Sequence, residues 1–138
     1  MNRIIVDTNI LVYLLTDTLD ADTDALVRDW ETQVFVSSTS VMEFINLIQS
    51  GRVRIHKPEQ FSAFRFIEDE LGFRILYVSR EHLQQLEQLP TVDGHNDPND
   101  RLIISQAIAD RLELVSSDTK FTHYRKWGLQ FTKAEHSL

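Results

Sequence analysis

The sequence predicts an α/β fold, a three-layer sandwich in which a central parallel sheet of four to five strands lies between helices. Short and almost entirely apolar strand-like runs alternate with helix-like segments along the chain, and helical crossovers are the short way to join parallel strands. No repeat, low-complexity stretch or Pro/Gly/Ser-rich linker interrupts the 138 residues. We therefore expect a single domain over residues 1–138.

The first half of the chain predicts two strands, each followed by a helix. Residues 3–7 are typical of a strand that ends in a carboxylate, and an apolar helix-like segment follows them. Residues 20–31 open with cap-type residues and predict an amphipathic helix. Residues 34–37 predict a second buried strand, and the next helix is expected to end at Gly51.

The second half continues the alternation of helices and strands. Apolar periodicity and cap-type residues predict helices at residues 58–71, 80–89 and 98–111. Apolar runs predict strands at residues 74–78, 112–116 and 129–132. Asp97 and Pro98 are residue types that suit a helix N-cap and the first helical position. The segment just before them, residues 90–97, has no periodicity and predicts a loop.

Charge and composition exclude several classes of protein. A net charge of -7 argues against binding nucleic acid by phosphate neutralisation alone, although a bound cation can attract phosphate to an acidic site. Without cysteine, any metal must be bound by oxygen or imidazole ligands. No apolar run approaches the roughly 20 residues that span a bilayer, and no secretory signal pattern is present. We therefore expect a cytoplasmic protein without membrane contact.

Four carboxylates are predicted near the carboxyl ends of the strands, where ligands bind in open α/β sheets. Asp7 ends the first strand, and Asp118 stands two residues after the fourth. Asp100 heads the apolar stripe of its helix, which directs it toward the core-facing side. Glu43 lies off the stripe of its helix, so a solvated side chain and a site residue both stay open. Asp7 and Asp118 also have structural readings, as a turn residue and a helix cap.

Convergence of these acids would create a cation site. Two negative charges about 4 Å apart repel by roughly 4 kcal/mol at an effective dielectric near 20. Carboxylates held so close either take up protons or bind a cation, and oxygen ligands suit Mg²⁺ or Mn²⁺. Such a cation activates water and polarises a phosphoryl oxygen. Phosphodiester hydrolysis is therefore the chemistry that this pattern favours.

Four separate stretches of the chain resemble the PIN-domain family, and more narrowly the VapC-type ribonuclease toxins of bacterial toxin-antitoxin pairs. These stretches are "IIVDTNILVYLL" at residues 4–15, "SSTSVMEFINLI" at 37–48, "HNDPNDRLIISQA" at 95–107 and "LVSSDTKF" at 114–121. Each is weak alone, but their order and spacing match the family almost from end to end. The resemblance implies a PIN-like sandwich with an acidic pocket.

The resemblance also implies which residues form the site. The catalytic and metal-binding acids would be Asp7, Glu43, Asp100 and Asp118, holding one or two Mg²⁺ or Mn²⁺ ions. Small polar or acidic side chains around these acids would orient the ligands or a bound water. These supporting residues would be Thr8, Asn9, Ser116 and Asp97. Asn99 stands where the family often has an aromatic or apolar residue, and Ser116 where it often has Thr. Arg101 and Lys120 are expected either to contact phosphate or to be solvated charges near a helix end.

The function implied is a metal-dependent endoribonuclease, the toxin of a toxin-antitoxin pair. Water would displace the leaving oxygen in line, giving a 5′-phosphate and a 3′-hydroxyl. The expected partners are an RNA substrate, a cognate antitoxin, a second copy of the chain and, only as a toxin-antitoxin complex, operator DNA. The alternative is a catalytically weak interaction module that acts mainly through antitoxin and operator DNA.

The five histidines show no spacing typical of a metal site. His56, His82, His123 and His136 are scattered through helices and polar termini, and we expect structural or surface roles for them. His95 stands near the acids in sequence and could approach substrate. Its position in an irregular polar loop favours solvation over catalysis.

Overall fold

A parallel five-stranded sheet forms the centre of the computed structural model, which describes residues 2–92 and 94–138. The strands are β1 (Asn2–Val6), β2 (Thr32–Ser37), β3 (Arg74–Leu76), β4 (Glu113–Ser116) and β5 (Gln130–Lys133). Their order in the sheet is β3-β2-β1-β4-β5, and every neighbouring pair is parallel. The predicted sheet is therefore confirmed.

Helices join successive strands. The α-helices are α1 (Thr8–Thr16), α2 (Ala21–Arg28), α3 (Ser38–Gln49), α4 (Arg80–Gln88) and α5 (Pro98–Asp110). A 3-10 helix, Thr119–Trp127, joins β4 to β5. Within the described ranges, none of the helices combines the length and apolar character that a membrane crossing needs.

Two apolar clusters divide the core, one on each face of the sheet. Ile4 and Val6 of β1 belong to the cluster that contains residues of α1, α2 and α3. Ile5, between them, belongs to the cluster that contains residues of α5 and the 3-10 helix. Because successive strand residues point to opposite faces, this division places helices on both sides of the sheet. The predicted three-layer arrangement is confirmed.

The predicted helix at residues 58–71 is wrong in form. A 3-10 turn, Pro58–Gln60, is followed by extended backbone at Phe61 and then by a π-helical segment, Arg65–Glu70. The rings of Phe61 and Phe66 both pack on Phe44 of α3, with centroids 6.1 and 5.9 Å from it. This packing between distant parts of the chain overrides the local helical periodicity.

The strand order determines where a ligand site can form. β1 lies between β2 and β4, so the chain leaves β1 toward one side of the sheet and later returns on the other. The carboxyl ends of β1 and β4 are therefore neighbours at the point where the strand order reverses. In open α/β sheets, ligands bind in the crevice at this point.

Candidate metal centre

An acidic cavity of about 170 Å³ opens at the carboxyl edge of the sheet. Its lining residues are Asp7, Thr8, Asn9, Glu43, Asp97, Asp100 and Asp118. The structure therefore brings together all four acids predicted for the metal site, with three of the four predicted supporting residues. The lining contains five carboxylates and, among described residues, no Lys or Arg.

Asp7 lies at the junction of β1 and α1 and is 6% exposed. Its Oδ1 accepts a hydrogen bond from the Ile10 N–H at 3.3 Å, which caps α1, and its Oδ2 accepts one from the Ser116 hydroxyl at 2.5 Å. Burial raises the pKa of Asp7 from 3.8 to about 7, against the lowering effect of these two hydrogen bonds; nearby Asp100 and Asp118 raise it further. Asp7 is therefore a carboxylate whose negative charge the protein leaves poorly compensated.

Ser116, the fourth predicted supporting residue, connects two of the acids from beneath the cavity. Its fully buried hydroxyl donates to Asp7 and accepts a hydrogen bond from the Asp118 N–H at 3.1 Å. The Asp118 carboxylate in turn accepts from the Lys120 N–H at 2.9 Å, which caps the 3-10 helix. Asp118 therefore both caps the 3-10 helix and lines the cavity.

Asp100 lies in the first turn of α5 and is half-buried. Burial raises its pKa, and the nearby Asp97 carboxylate raises it further, while a hydrogen bond to His95 acts in the opposite direction. Asp97 is the N-cap of α5, as predicted, and accepts a hydrogen bond from the Asn99 N–H at 2.9 Å. The helix entrance therefore holds Asp100 at the cavity and adds a second carboxylate beside it.

Glu43 reaches the cavity from α3, on the other face of the sheet. It is half-buried, and its pKa is raised by burial and by the charges of Asp97 and Asp100, while the Thr8 hydroxyl and the Asn99 side chain lower it. Sequence periodicity could not decide between solvent and site for this residue. The structure places Glu43 in the lining of the cavity, because α3 begins at the carboxyl end of β2.

The Arg101 guanidinium is bound to the backbone of a neighbouring loop. Its Nη1 donates to the carbonyl of Pro90 at 2.9 Å, and its Nη2 donates to the carbonyl of Leu89 at 3.0 Å. These bonds join the loop after α4 to α5, so Arg101 is not simply a solvated charge, while a phosphate contact through its other N–H groups stays a prediction. Lys120 is exposed, and its contact with phosphate stays a prediction.

His95 is the residue near the site that sequence reasoning misjudged. It is only 3% exposed, and its ring meets the rings of Phe121 and Tyr124 edge to face, at centroid distances of 5.3 and 5.2 Å. Its Nε2 lies 3.3 Å from Oδ2 of Asp100. The expectation of a solvated loop residue was wrong because the 3-10 helix, distant in sequence, covers the ring. Phe121 and Tyr124, three residues apart, form an apolar helix face in the sequence, and this face was the one sign that a neighbouring loop residue could be buried.

The donor groups of the site fit a hard divalent cation. Potential ligand atoms of His95, Asp100 and Asp118 lie within 4.8 Å of one another. The pKa of Asp7, Glu43 and Asp100 is raised by burial and also by neighbouring carboxylates. A positive charge placed among these acids would therefore relieve an unfavourable accumulation of negative charge. Carboxylate oxygens are the ligands that Mg²⁺ and Mn²⁺ prefer.

Comparison with known proteins relates this geometry to a family. The sequence pattern of the PIN domain matches residues 4–126 of the chain. This range includes all four acids of the cavity. No curated protein matches the chain in sequence.

Solved structures of low sequence identity share the fold. A chain of VapBC2 from Rickettsia felis, bound to a DNA fragment from its promoter, has a TM-score of 0.71 and 20% identity, covering 96% of this chain and 99% of that one. A chain of DNA-bound VapBC from Salmonella typhimurium has a TM-score of 0.65 and 16% identity, and the match covers 96% of this chain and 98% of that one. A chain of VapBC-1 from nontypeable Haemophilus influenzae has a TM-score of 0.63 and 18% identity, and the match covers 95% of this chain and 97% of that one.

Proposed function

This chain belongs to the PIN-domain family, and from that premise we propose that it is a Mg²⁺- or Mn²⁺-dependent endoribonuclease, the toxin of a toxin-antitoxin pair. The observation that carries the proposal is the acidic cavity at the strand-order reversal, lined by Asp7, Glu43, Asp100 and Asp118. The fold likeness to VapBC proteins over nearly the whole chain supports the toxin assignment.

We propose a different role for each acid. Asp7 and Asp100, reaching the cavity from β1 and α5, would hold the cation directly, and Asp118 would hold it through water. The cation supplies water activation and charge stabilisation at the phosphoryl group. Glu43, whose pKa is raised, is suited either to bind the cation or to accept a proton from the attacking water.

The reaction proceeds as an in-line displacement at phosphorus. The water oxygen would bond to phosphorus as the bond from phosphorus to the 3′ oxygen breaks. The attacking water would lose a proton to Glu43 or to solvent, and the leaving 3′ oxygen would take up one proton from solvent, so that the step balances. The products are a 5′-phosphate and a 3′-hydroxyl. In this proposal water is the nucleophile, so no side chain of the cavity forms a covalent bond to the substrate.

A cleavage assay tests the proposed function. We expect the purified chain to cut RNA in Mn²⁺ or Mg²⁺ and to be inactive in EDTA, with product ends of the stated polarity. Sequencing the ends of cellular RNA treated with the chain, with and without EDTA, measures the metal dependence and the chemical nature of the product ends. Saturable Mn²⁺ binding without cleavage of any RNA tested would instead support the alternative, a catalytically weak module acting through antitoxin and operator DNA.

The proposed partners are a small antitoxin, a second copy of the chain and, through the toxin-antitoxin complex, operator DNA. An apolar groove of about 250 Å³ runs beside α3 and β3, and it exposes Met42, Phe64 and Tyr77. Met42 of the groove and Glu43 of the cavity both belong to α3. We infer that the antitoxin inhibits the enzyme with one segment in the groove and a basic side chain in the acidic cavity.

Salt dependence tests this mode of inhibition. We expect binding of the proposed antitoxin to weaken severalfold as salt rises, because charge attraction across the cavity is screened. Removing one of the five negative charges of the cavity in an Asp100→Asn variant should reduce that dependence. Titrations by calorimetry at several salt concentrations measure both effects, and an affinity that neither salt nor the variant changes would refute the basic segment.

A further inference from the structure

His95 lies outside the lining of the acidic cavity but contacts one of its acids. Its Nε2 is 3.3 Å from Oδ2 of Asp100. The ring side chain is 3% exposed and the Asp100 side chain is 27% exposed, so solvent reaches this contact only from the Asp100 side. His95 is thus placed to act on the site through Asp100.

The imidazole ring is fixed from several directions. Phe121 and Tyr124 of the 3-10 helix pack edge to face against it, and the His95 N–H donates to the carbonyl of Val92 at 3.0 Å. A ring held by two aromatic neighbours and by its own backbone has little freedom to turn. The direction of the Nε2 atom is therefore determined by packing and does not depend on a bound ligand.

The surroundings of the ring indicate which nitrogen carries the proton. Nδ1 is buried and has no hydrogen-bond partner among the residues described. A proton there would be a buried unpaired donor, which costs about 1–3 kcal/mol. A proton on Nε2 finds an acceptor at once in Asp100, so the Nε2–H form is favoured.

We propose that His95 is a positioning residue of the metal centre. Its Nε2–H would hold Oδ2 of Asp100 and leave the other lone pairs of that carboxylate available to a cation. With Nε2 protonated, the ring would offer no lone pair at this edge, so of the group His95, Asp100 and Asp118 only the two carboxylates would bind the cation. This inference rests on the proposed function, because it requires that the cavity bind a divalent ion.

The chain contains a matched control at the other end of α5. His82 is 2% exposed, and its Nε2 lies 3.2 Å from Oδ2 of Asp110. Its Nδ1 accepts from the Ser79 N–H at 3.0 Å as part of the capping box of α4. This pair has the same chemistry as His95 and Asp100, but it lies away from the acidic cavity.

Mn²⁺ binding to the full chain tests the proposal, with free Mn²⁺ measured by electron paramagnetic resonance. We expect His95→Phe, which fills the aromatic site without a donor, to weaken binding about 10–100-fold. His95→Gln carries an amide N–H that can replace Nε2–H, so it should stay within about threefold of the wild type. His82→Phe should leave the affinity unchanged, even if it lowers stability.

Several results would overturn the proposal. These are an unchanged affinity in His95→Phe, a His95→Gln variant as weak as His95→Phe, and the strong nitrogen hyperfine coupling of a directly bound imidazole in the Mn²⁺ complex of the wild type. Should His95→Phe not fold, the Gln variant and the coupling measurement still decide. A wild-type chain that binds no Mn²⁺ would refute the proposed function as well, whereas wild-type binding with an unaffected Phe variant would refute the role of His95 alone.

Discussion

An Asp100→Asn variant is expected to lose RNA cleavage by about three orders of magnitude while keeping its fold. The substitution preserves the shape of the side chain and its contact with His95, but it removes one negative charge from the cavity. A bound cation contributes several kcal/mol of charge stabilisation, and the loss of about 4 kcal/mol corresponds to roughly 1,000-fold in rate. Initial cleavage rates on one defined RNA measure the effect.

The control for this variant is Asp22→Asn, the same chemical change at an exposed position of α2. It should cleave at the wild-type rate. If Asp100→Asn also cleaves within tenfold of the wild type, Asp100 does not bind an essential cation. Partial recovery of Asp100→Asn at high Mn²⁺ would show that part of the loss lies in metal affinity.

An Asp7→Asn variant is expected to be more stable than the wild type in EDTA at pH 8. The pKa of Asp7 is raised from 3.8 to about 7, so its favourable contribution to folding is present below pH 4 and is lost as the pH rises through 7. A shift of this size corresponds to about 4 kcal/mol, which is an upper limit for the gain on substitution. Urea unfolding at pH 4 and pH 8 measures it.

The pH dependence of this gain separates charge from packing. At pH 4 Asp7 is largely protonated in the folded protein, so the variant and the wild type should differ little. Saturating Mn²⁺ at pH 8 should reverse the order, because ligand binding stabilises only the chain that binds. A variant that is less stable than the wild type at both pH values in EDTA would show that the ionised Asp7 carboxylate does not destabilise the fold.

The sheet and the positions of the acids could be predicted because they depend on local sequence. Apolar runs give the strands, and a carboxylate that follows such a run, as Asp7 does, lies at the carboxyl edge whatever the details of packing. Asp97 and Pro98 likewise mark the start of α5 by their own chemistry. Membership of the PIN-domain family, predicted from four stretches, is confirmed.

The features that could not be predicted depend on contacts between distant residues. Phe61 and Phe66 gather around Phe44 and break a helix whose periodicity looked regular. His95 is buried by the 3-10 helix, about 25 residues further along the chain. Arg101 is bound by carbonyl groups whose positions depend on where α4 ends. In each case the local sequence pattern also fitted an environment that differs from the one in the folded chain.

We propose that Asp7, Glu43, Asp100 and Asp118 form one divalent-metal centre. The most direct test is an anomalous difference map from crystals of the chain soaked in Mn²⁺. We expect one or two peaks inside the acidic cavity, at bonding distance from carboxylate oxygens of Asp7 and Asp100. A cavity without a peak at saturating Mn²⁺, or peaks confined to acids elsewhere on the surface, would contradict it.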